Sequence, residues 1–204
     1  TLTLSSVENA TIASKTATIT IKNDDDPPVI SLSGDVTVSE SSKEVLFTIS
    51  SNIESGQEIQ VSYKTEEMSA RKNIDFTHTE GVLKFTPTAS NKTMQISVPI
   101  IADEIDEEDE TFKLIIANSI NATISSSSNT LESTVTITDD DYPPTLSLAN
   151  LSVSVNENNG KVTMTLGLSR ASSKVVTVKV NTEDVTAKAG SDYTALIDHV
   201  VTIS

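Results

Sequence analysis

The sequence predicts an all-β protein in which antiparallel β-sandwich modules follow one another in tandem. Three observations predict it. Apolar and polar residues alternate in short runs parted by Ser, Asn and Gly, which is the period of half-buried strands. Blocks of sequence recur in one order, at spacings that drift from 112 residues (Asn9 to Asn121) to 117 (Val36 to Val153). Aromatics make up only 3% of the chain and Trp is absent, so the core must come from Val, Ile and Leu, which suit stacked sheets.

The repeat fixes the organisation. Thr18-Ile19-Thr20-Ile21-Lys22-Asn23-Asp24-Asp25-Asp26-Pro27-Pro28 returns as Thr134-Val135-Thr136-Ile137-Thr138-Asp139-Asp140-Asp141-Tyr142-Pro143-Pro144. Val36-Thr37-Val38-Ser39-Glu40 returns as Val153-Ser154-Val155-Asn156-Glu157, and Asn73-Ile74-Asp75-Phe76-Thr77 as Gly190-Ser191-Asp192-Tyr193-Thr194. Residues 1–26 then read as the tail of one module, 27–141 as a complete module and 142–204 as the front of a third. Pro-Pro at each junction is stiff and extended, which favours a rod over loosely tethered beads.

The elements of the complete module follow in order. Val45, Phe47 and Ile49 alternate, then Ile59, Val61 and Tyr63, then Ile96, Val98 and Ile100, and Val135 with Ile137 closes the set. In the third module Val162, Met164, Leu166 and Leu168 predict a strand, followed by Val176, Val178 and Val180. About seven strands are expected per module, and no segment reads as a helix. Pro99 falls within a predicted strand, so that strand belongs at an edge or carries a bulge.

Composition excludes several classes of function. A net charge of −15 repels phosphate backbones and makes nucleic acid a poor partner. No run of 18 apolar residues provides a membrane span. Absence of Cys removes disulfides and thiolate chemistry. The opening Thr1-Leu2-Thr3-Leu4 carries no signal-peptide pattern and reads as part of something longer. His78 and His199 do not correspond across the repeat, and no nucleophile elbow or phosphate loop is present, so an enzyme is not expected. Paired carboxylates serve glycoside hydrolysis only at a set separation beside a sugar cleft, whereas the acids here are many and regularly repeated.

The residues that carry chemistry are those acids. Asp103-Glu104-Ile105-Asp106-Glu107-Glu108-Asp109-Glu110 holds seven carboxylates in eight residues, and the triplets Asp24-Asp25-Asp26 and Asp139-Asp140-Asp141 hold six more. Such runs serve equally as solvated faces or turns. Their recurrence at each strand-to-Pro-Pro junction favours a bound cation, because solubility needs no fixed address. Calcium takes ~6–8 oxygen ligands and suits an all-carboxylate set. Zinc and copper want His or Cys, while magnesium rarely uses an all-protein cage.

The ordered set of a Val-Ser-Glu strand ending at Glu40, the Asp75-Phe76 pair, the Asp103-x-x-x-Glu107-x-x-Glu110-Thr-Phe loop and a closing Thr-Ile-Thr-Asp-Asp-Asp resembles the Calx-beta family over the whole chain. The resemblance implies an immunoglobulin-like sandwich with Ca²⁺ held by loops at one end. It further implies ligands at Glu40, Asp75, Asp103, Glu107, Glu110, Asp139, Asp140 and Asp141, with the carbonyl of Ile105 as a backbone ligand. Ala102 stands where the strongest binders carry an acid, which points to fewer ions or lower affinity. Glu157 and Asp192 in the third module, and Asp24, Asp25 and Asp26 in the first, are the matching positions of two incomplete sites.

The resulting expectation is a calcium-binding structural or adhesive module of a long extracellular or cell-surface protein, stiffened by Ca²⁺ at module ends. Its partners would be neighbouring modules, surface protein or glycan ligands, or further copies of itself. The Asn-x-Ser/Thr sequons at Asn9, Asn91, Asn121 and Asn150 fit that setting. The alternatives are an intracellular calcium sensor like that of the sodium/calcium exchangers, or a metal-free spacer or filament subunit.

Overall fold

Alternation along the chain becomes two facing sheets once each strand places its apolar side inward. The computed structural model describes residues 1–87 and 92–203. Its strands are β1 (Leu2–Thr3), β2 (Thr16–Ala17), β3 (Val29–Leu32), β4 (Val36–Ser39), β5 (Glu44–Ser51), β6 (Ile59–Glu67), β7 (Glu80–Phe85), β8 (Thr93–Pro99), β9 (Glu110–Ile120), β10 (Thr123–Ile124), β11 (Leu131–Thr138), β12 (Leu146–Leu148), β13 (Leu166–Leu168), β14 (Val176–Val180) and β15 (His199–Ile203). One 3₁₀ turn, Glu157–Asn159, is the only helical element among the described residues.

Residues 27–141 form a sandwich of a four-stranded sheet, in the order β10-β3-β5-β8, on a five-stranded sheet, in the order β4-β11-β9-β6-β7. The all-β sandwich expected from the sequence is thus present, with nine strands rather than about seven. The excess arises because the first strand is split: β3 lies in one sheet and β4 crosses to the other, and the short β10 adds a parallel edge beside β3. Ser133 and Thr134 fix the crossing, Ser133 Oγ donating to the Gly34 carbonyl at 2.9 Å and the Thr134 amide donating to Asp35 Oδ1 at 2.8 Å.

The core lies between the sheets. Phe47, Ile49, Val61, Val98, Leu114, Ile116 and Val135 are fully buried from alternating positions of five strands, each contributing about 1.5–3 kcal/mol by leaving water. Phe76 and Phe112 stack with ring centroids 4.1 Å apart. Phe76 adjoins Asp75 and Phe112 begins two residues after Glu110, so this pair pins the loops that carry the acids onto the core. Pro99 ends β8, an edge strand, where its missing N–H leaves no ladder bond unmade.

The flanking pieces repeat the same registers. In β1–β2, Leu2 pairs with Ala17, as Leu114 pairs with Ser133 between β9 and β11. In β14–β15, Val178 pairs with Val201, as Val61 pairs with Leu83 between β6 and β7. One expectation needs correction: Val162 and Met164 lie outside any strand, and only Leu166–Leu168 forms. The equivalent strand β5 runs its full length because it pairs with β8 as well as β3, whereas β13 has β12 alone. Alternation gives a strand only where backbone partners exist.

Of the sequons, Asn9 and Asn150 are exposed. Asn121 sits in the left-handed region with φ 59° and donates its side-chain amide to the Glu58 carbonyl. Asn91 lies outside the described residues. No helix among the described residues is long and apolar enough to cross a membrane.

Candidate metal centre

The carboxylates of the complete module converge at one end of the sandwich, where β4, β9 and β11 begin or finish. Glu40 follows β4, Asp139 and Asp141 follow β11, Glu110 opens β9, Glu107 precedes it in the acidic loop, and Asp75 lies in the turn before Phe76. Glu40, Glu110 and Asp139 sit at strand ends and are held by the ladders behind them.

Two triads result. Glu40, Asp139 and Asp141 each offer an oxygen within 4.8 Å of the others, and so do Asp75, Glu107 and Glu110. Both contribute to one small cleft lined by Glu40, Asp75, Glu107, Glu110 and Asp139. Asp139 Oδ1 and Asp141 Oδ2 are shielded from water and have no hydrogen-bond partner. Orphaned carboxylate oxygens are costly, and an oxygen-loving cation would satisfy them.

The electrostatics carry the same strain. Glu110 is pushed up to about 7, first by burial and then by the hydrogen bond and charge of Asp75. Burial also raises Glu40, with the charges of Asp103, Asp141 and Asp139 adding to it against the Asp103 amide, which donates to Glu40 Oε1 at 2.9 Å. Glu107 is raised by burial and by Asp103 and Asp75, and Asp141 by burial and by Asp139 and Asp140. Four carboxyls raised across the two triads are like charges crowded beyond what Arg71 and Arg170 offset.

The remaining predicted residues stand differently. Asp103 is exposed at the rim, where its Oδ1 accepts the Ile105 amide at 2.7 Å. Asp140 turns outward onto the Ser39 hydroxyl, and hydrogen bonds from Ser39 and Ser41 hold its carboxyl below the usual range. Asp24, Asp25, Asp26, Glu157 and Asp192 are exposed and join no triad among the described residues. Asp192 does keep the local turn of its counterpart: it accepts the Lys188 amide at 2.7 Å, as Asp75 accepts the Arg71 amide at 2.6 Å.

Sequence reasoning missed the junction. Asp106, buried though charged, accepts Lys174 Nζ on Oδ1 at 2.8 Å and Ser172 Oγ on Oδ2 at 2.8 Å, and its carbonyl accepts the Ser173 amide at 3.0 Å. Lys174 Nζ also lies 3.7 Å from Asp139 Oδ2. These bonds hold Asp106 below and Lys174 above their ordinary values. The third unit thus touches the acidic loop and a triad member at once. Only the burial of Asp106, deeper than that of the other acids in its run, marks the contact, and burial is invisible in sequence.

The Calx-beta domain family matches residues 23–141 and again 139–201. The chain belongs to the Calx-beta family. Sodium/calcium exchanger 2 of Rattus norvegicus is 30% identical over 146 residues, covering 64% of this chain and 15% of the exchanger. Sodium/calcium exchanger 3 of Homo sapiens is 29% identical over 150 residues, 65% of this chain and 16% of that protein. The chain therefore spans about a sixth of the length of these relatives. Among solved structures, the apo form of the Calx CBD1 domain superposes with a TM-score of 0.52 at 24% identity, over 57% of this chain and all of that one. The two-domain CBD12 from CALX1.2 gives 0.51 at 22% identity, over 85% of this chain and 70% of its own. At these identities the structures establish the Calx-beta fold in tandem.

Proposed function

We propose that this chain is a calcium-binding structural module of a long extracellular or cell-surface array, in which the ion stiffens each module end. The observation that carries this reading is the pair of carboxylate triads in one cleft with two shielded, unpartnered oxygens. Glu40, Asp139 and Asp141 would hold one ion and Asp75, Glu107 and Glu110 another, the ion supplying positive charge that cancels their repulsion. Residues 27–141 form the complete module of the array and the flanking pieces belong to its neighbours.

Lys174 extends the effect across the junction. Its ammonium pairs with Asp106 from the same loop that supplies Glu107 and Glu110, and lies near Asp139 of the other triad. Ordering that loop with a cation therefore orders the docking face of the next module, while massed unneutralised acids loosen both.

A second reading is favoured by the relatives: a calcium-regulated segment of an exchanger-like protein, since the matches are sodium/calcium exchangers. Affinity separates the two, with sensors binding at about 10⁻⁷–10⁻⁵ M and extracellular modules at about 10⁻⁴–10⁻³ M. Thermal unfolding of the whole chain in chelator, then through a calcium titration with magnesium as control, tests both readings. A calcium-specific gain of about 2.7 kcal/mol is expected at a hundredfold excess over Kd. An unchanged melt would leave the acids as a solvated face and the module as a plain spacer.

A further inference from the structure

One flank of the complete module ends in β7, which pairs with β6 and with nothing beyond it among the described residues. An exposed edge strand is a template for further pairing, and folded proteins blunt such edges with short strands, Pro, bulges or charge. The other edges of this sandwich follow that rule. β10 has two residues and β4 has four, while β8 carries Pro99. β7 has six residues, no Pro, and an unbroken register on β6.

Backbone parity shows which of its groups are free. The Thr65 amide donates to the Thr79 carbonyl at 2.9 Å, in the register that continues as Tyr63 with Gly81 and Val61 with Leu83. Those pairs exchange the ladder bonds, so the N–H and C=O groups of Glu80, Val82 and Lys84 point away from the sheet. The side chains of the same three residues share its outer face. Those of Glu80 and Lys84 are 71% and 57% exposed and Val82 is 51% exposed, whereas Leu83 and Phe85 are buried in the core. Val82 adjoins Ile115 and Ala117, which line a shallow groove beside the edge.

These three positions are complementary to themselves. Antiparallel pairing about a two-fold axis at Val82 sets Val82 opposite Val82 and each Glu80 opposite a Lys84. Every outward N–H and C=O of the three residues then finds a partner. An apolar pair meets in the middle with an opposite-charge pair on either side, all on one face. Within a single chain the two charges are weakly held. Glu80 lies 3.5 Å from His78 and Lys84 lies 3.8 Å from Glu58, in exposed pairs that stabilise little. The lysine that blunts this edge against an unrelated strand is matched by the same strand of another copy.

We propose that this chain pairs with a second copy of itself through β7. The two five-stranded sheets join into one that runs through both modules, and the symmetric contact closes as a pair rather than propagating. It uses none of the carboxylates of the metal centre, so it forms with or without calcium. A contact of one strand from each copy is small, and modules repeated along an array multiply it by avidity. Two arrays running in opposite directions thus adhere side by side.

The test uses the full chain, in chelator and in calcium, at an ionic strength that screens its net charge of −15. Sedimentation velocity from micromolar to millimolar concentration should show the weight-average mass rising to about twice the monomer and no further. Glu80→Lys should return it to monomer by setting like charges against each other, and adding Lys84→Glu should restore association. An unchanged melt shows that each variant folds. In this Cys-free chain, Val82→Cys should give a disulfide-linked pair, whereas Thr37→Cys, exposed on the opposite edge of the same sheet, should not. A monomer at every concentration, association indifferent to Glu80→Lys, a double variant that stays monomeric, or equal cross-linking at both positions would each overturn the proposal.

Discussion

Replacing Glu110 with Gln separates a cation site from a solvated acidic face, because the sign of its effect depends on calcium. In the metal-free protein the Glu110 carboxyl titrates at about 7 instead of 4.5. Between those values the folded state binds more protons than the unfolded chain, so stability falls as pH rises through the window and the loss is complete above 7. At 1.36 kcal/mol per unit the full shift amounts to roughly 3 kcal/mol. The residue is partly open to water, and screening reduces this to on the order of 1 kcal/mol. Gln removes the charge and retains a hydrogen-bonding group facing Asp75. In chelator at about pH 8, Glu110→Gln should therefore melt roughly 3–6 °C above the parent, and at about pH 5 the two should coincide. In saturating calcium the order should invert, since a ligand carboxylate has been lost. Differential scanning calorimetry of the full chain measures all three conditions. A variant no more stable than the parent in chelator at high pH, or equally displaced at both pH values, would refute the electrostatic reasoning.

Three further outcomes follow from particular contacts. Asp141→Asn should weaken calcium binding at least about tenfold by calorimetric titration, because ligand charge count tunes affinity, while leaving the chelator melt unchanged or slightly raised. Lys174→Met keeps the aliphatic stem but removes the charge that spans Asp106 and Asp139. It should increase severalfold the rate of amide hydrogen exchange at Ser173, whose N–H donates to the Asp106 carbonyl, a rate that stays constant if the clamp is idle. Phe112→Ala removes a fully buried ring from the stack with Phe76 and should cost about 3–5 kcal/mol. Because that stack seats Asp75 and Glu110, chemical denaturation and calcium titration of the variant should both shift.

Fold and site were legible to different depths. Strands were readable because alternation at Val45, Phe47 and Ile49, or at Ile59 and Val61, is a local signal that survives in a one-dimensional string. The same signal over-reached at Val162 and Met164, where alternation is present but only Leu166–Leu168 pairs, with β12. The split of the first strand into β3 and β4 also escaped, since it depends on Ser133 and Thr134 about a hundred positions away. For the site, position along the chain showed which loops are acidic but not which acids converge. Asp140 sits between two triad members in sequence, yet turns to Ser39 because neighbouring residues beyond a strand end face different ways.

By itself the sequence determined the all-β architecture, the repeat and its phase, the family, and the concentration of charge at module junctions. All of these are set by residue type at short or fixed spacing, which is what a linear string records. Tertiary structure alone decided the sorting of carboxylates into two triads, the orphaned oxygens of Asp139 and Asp141 and the Lys174 clamp on Asp106. Those depend on which strand lies beside which. Adjacency between residues a hundred positions apart comes from the closing of the sheets, and burial, pairing and repulsion exist only once they have closed.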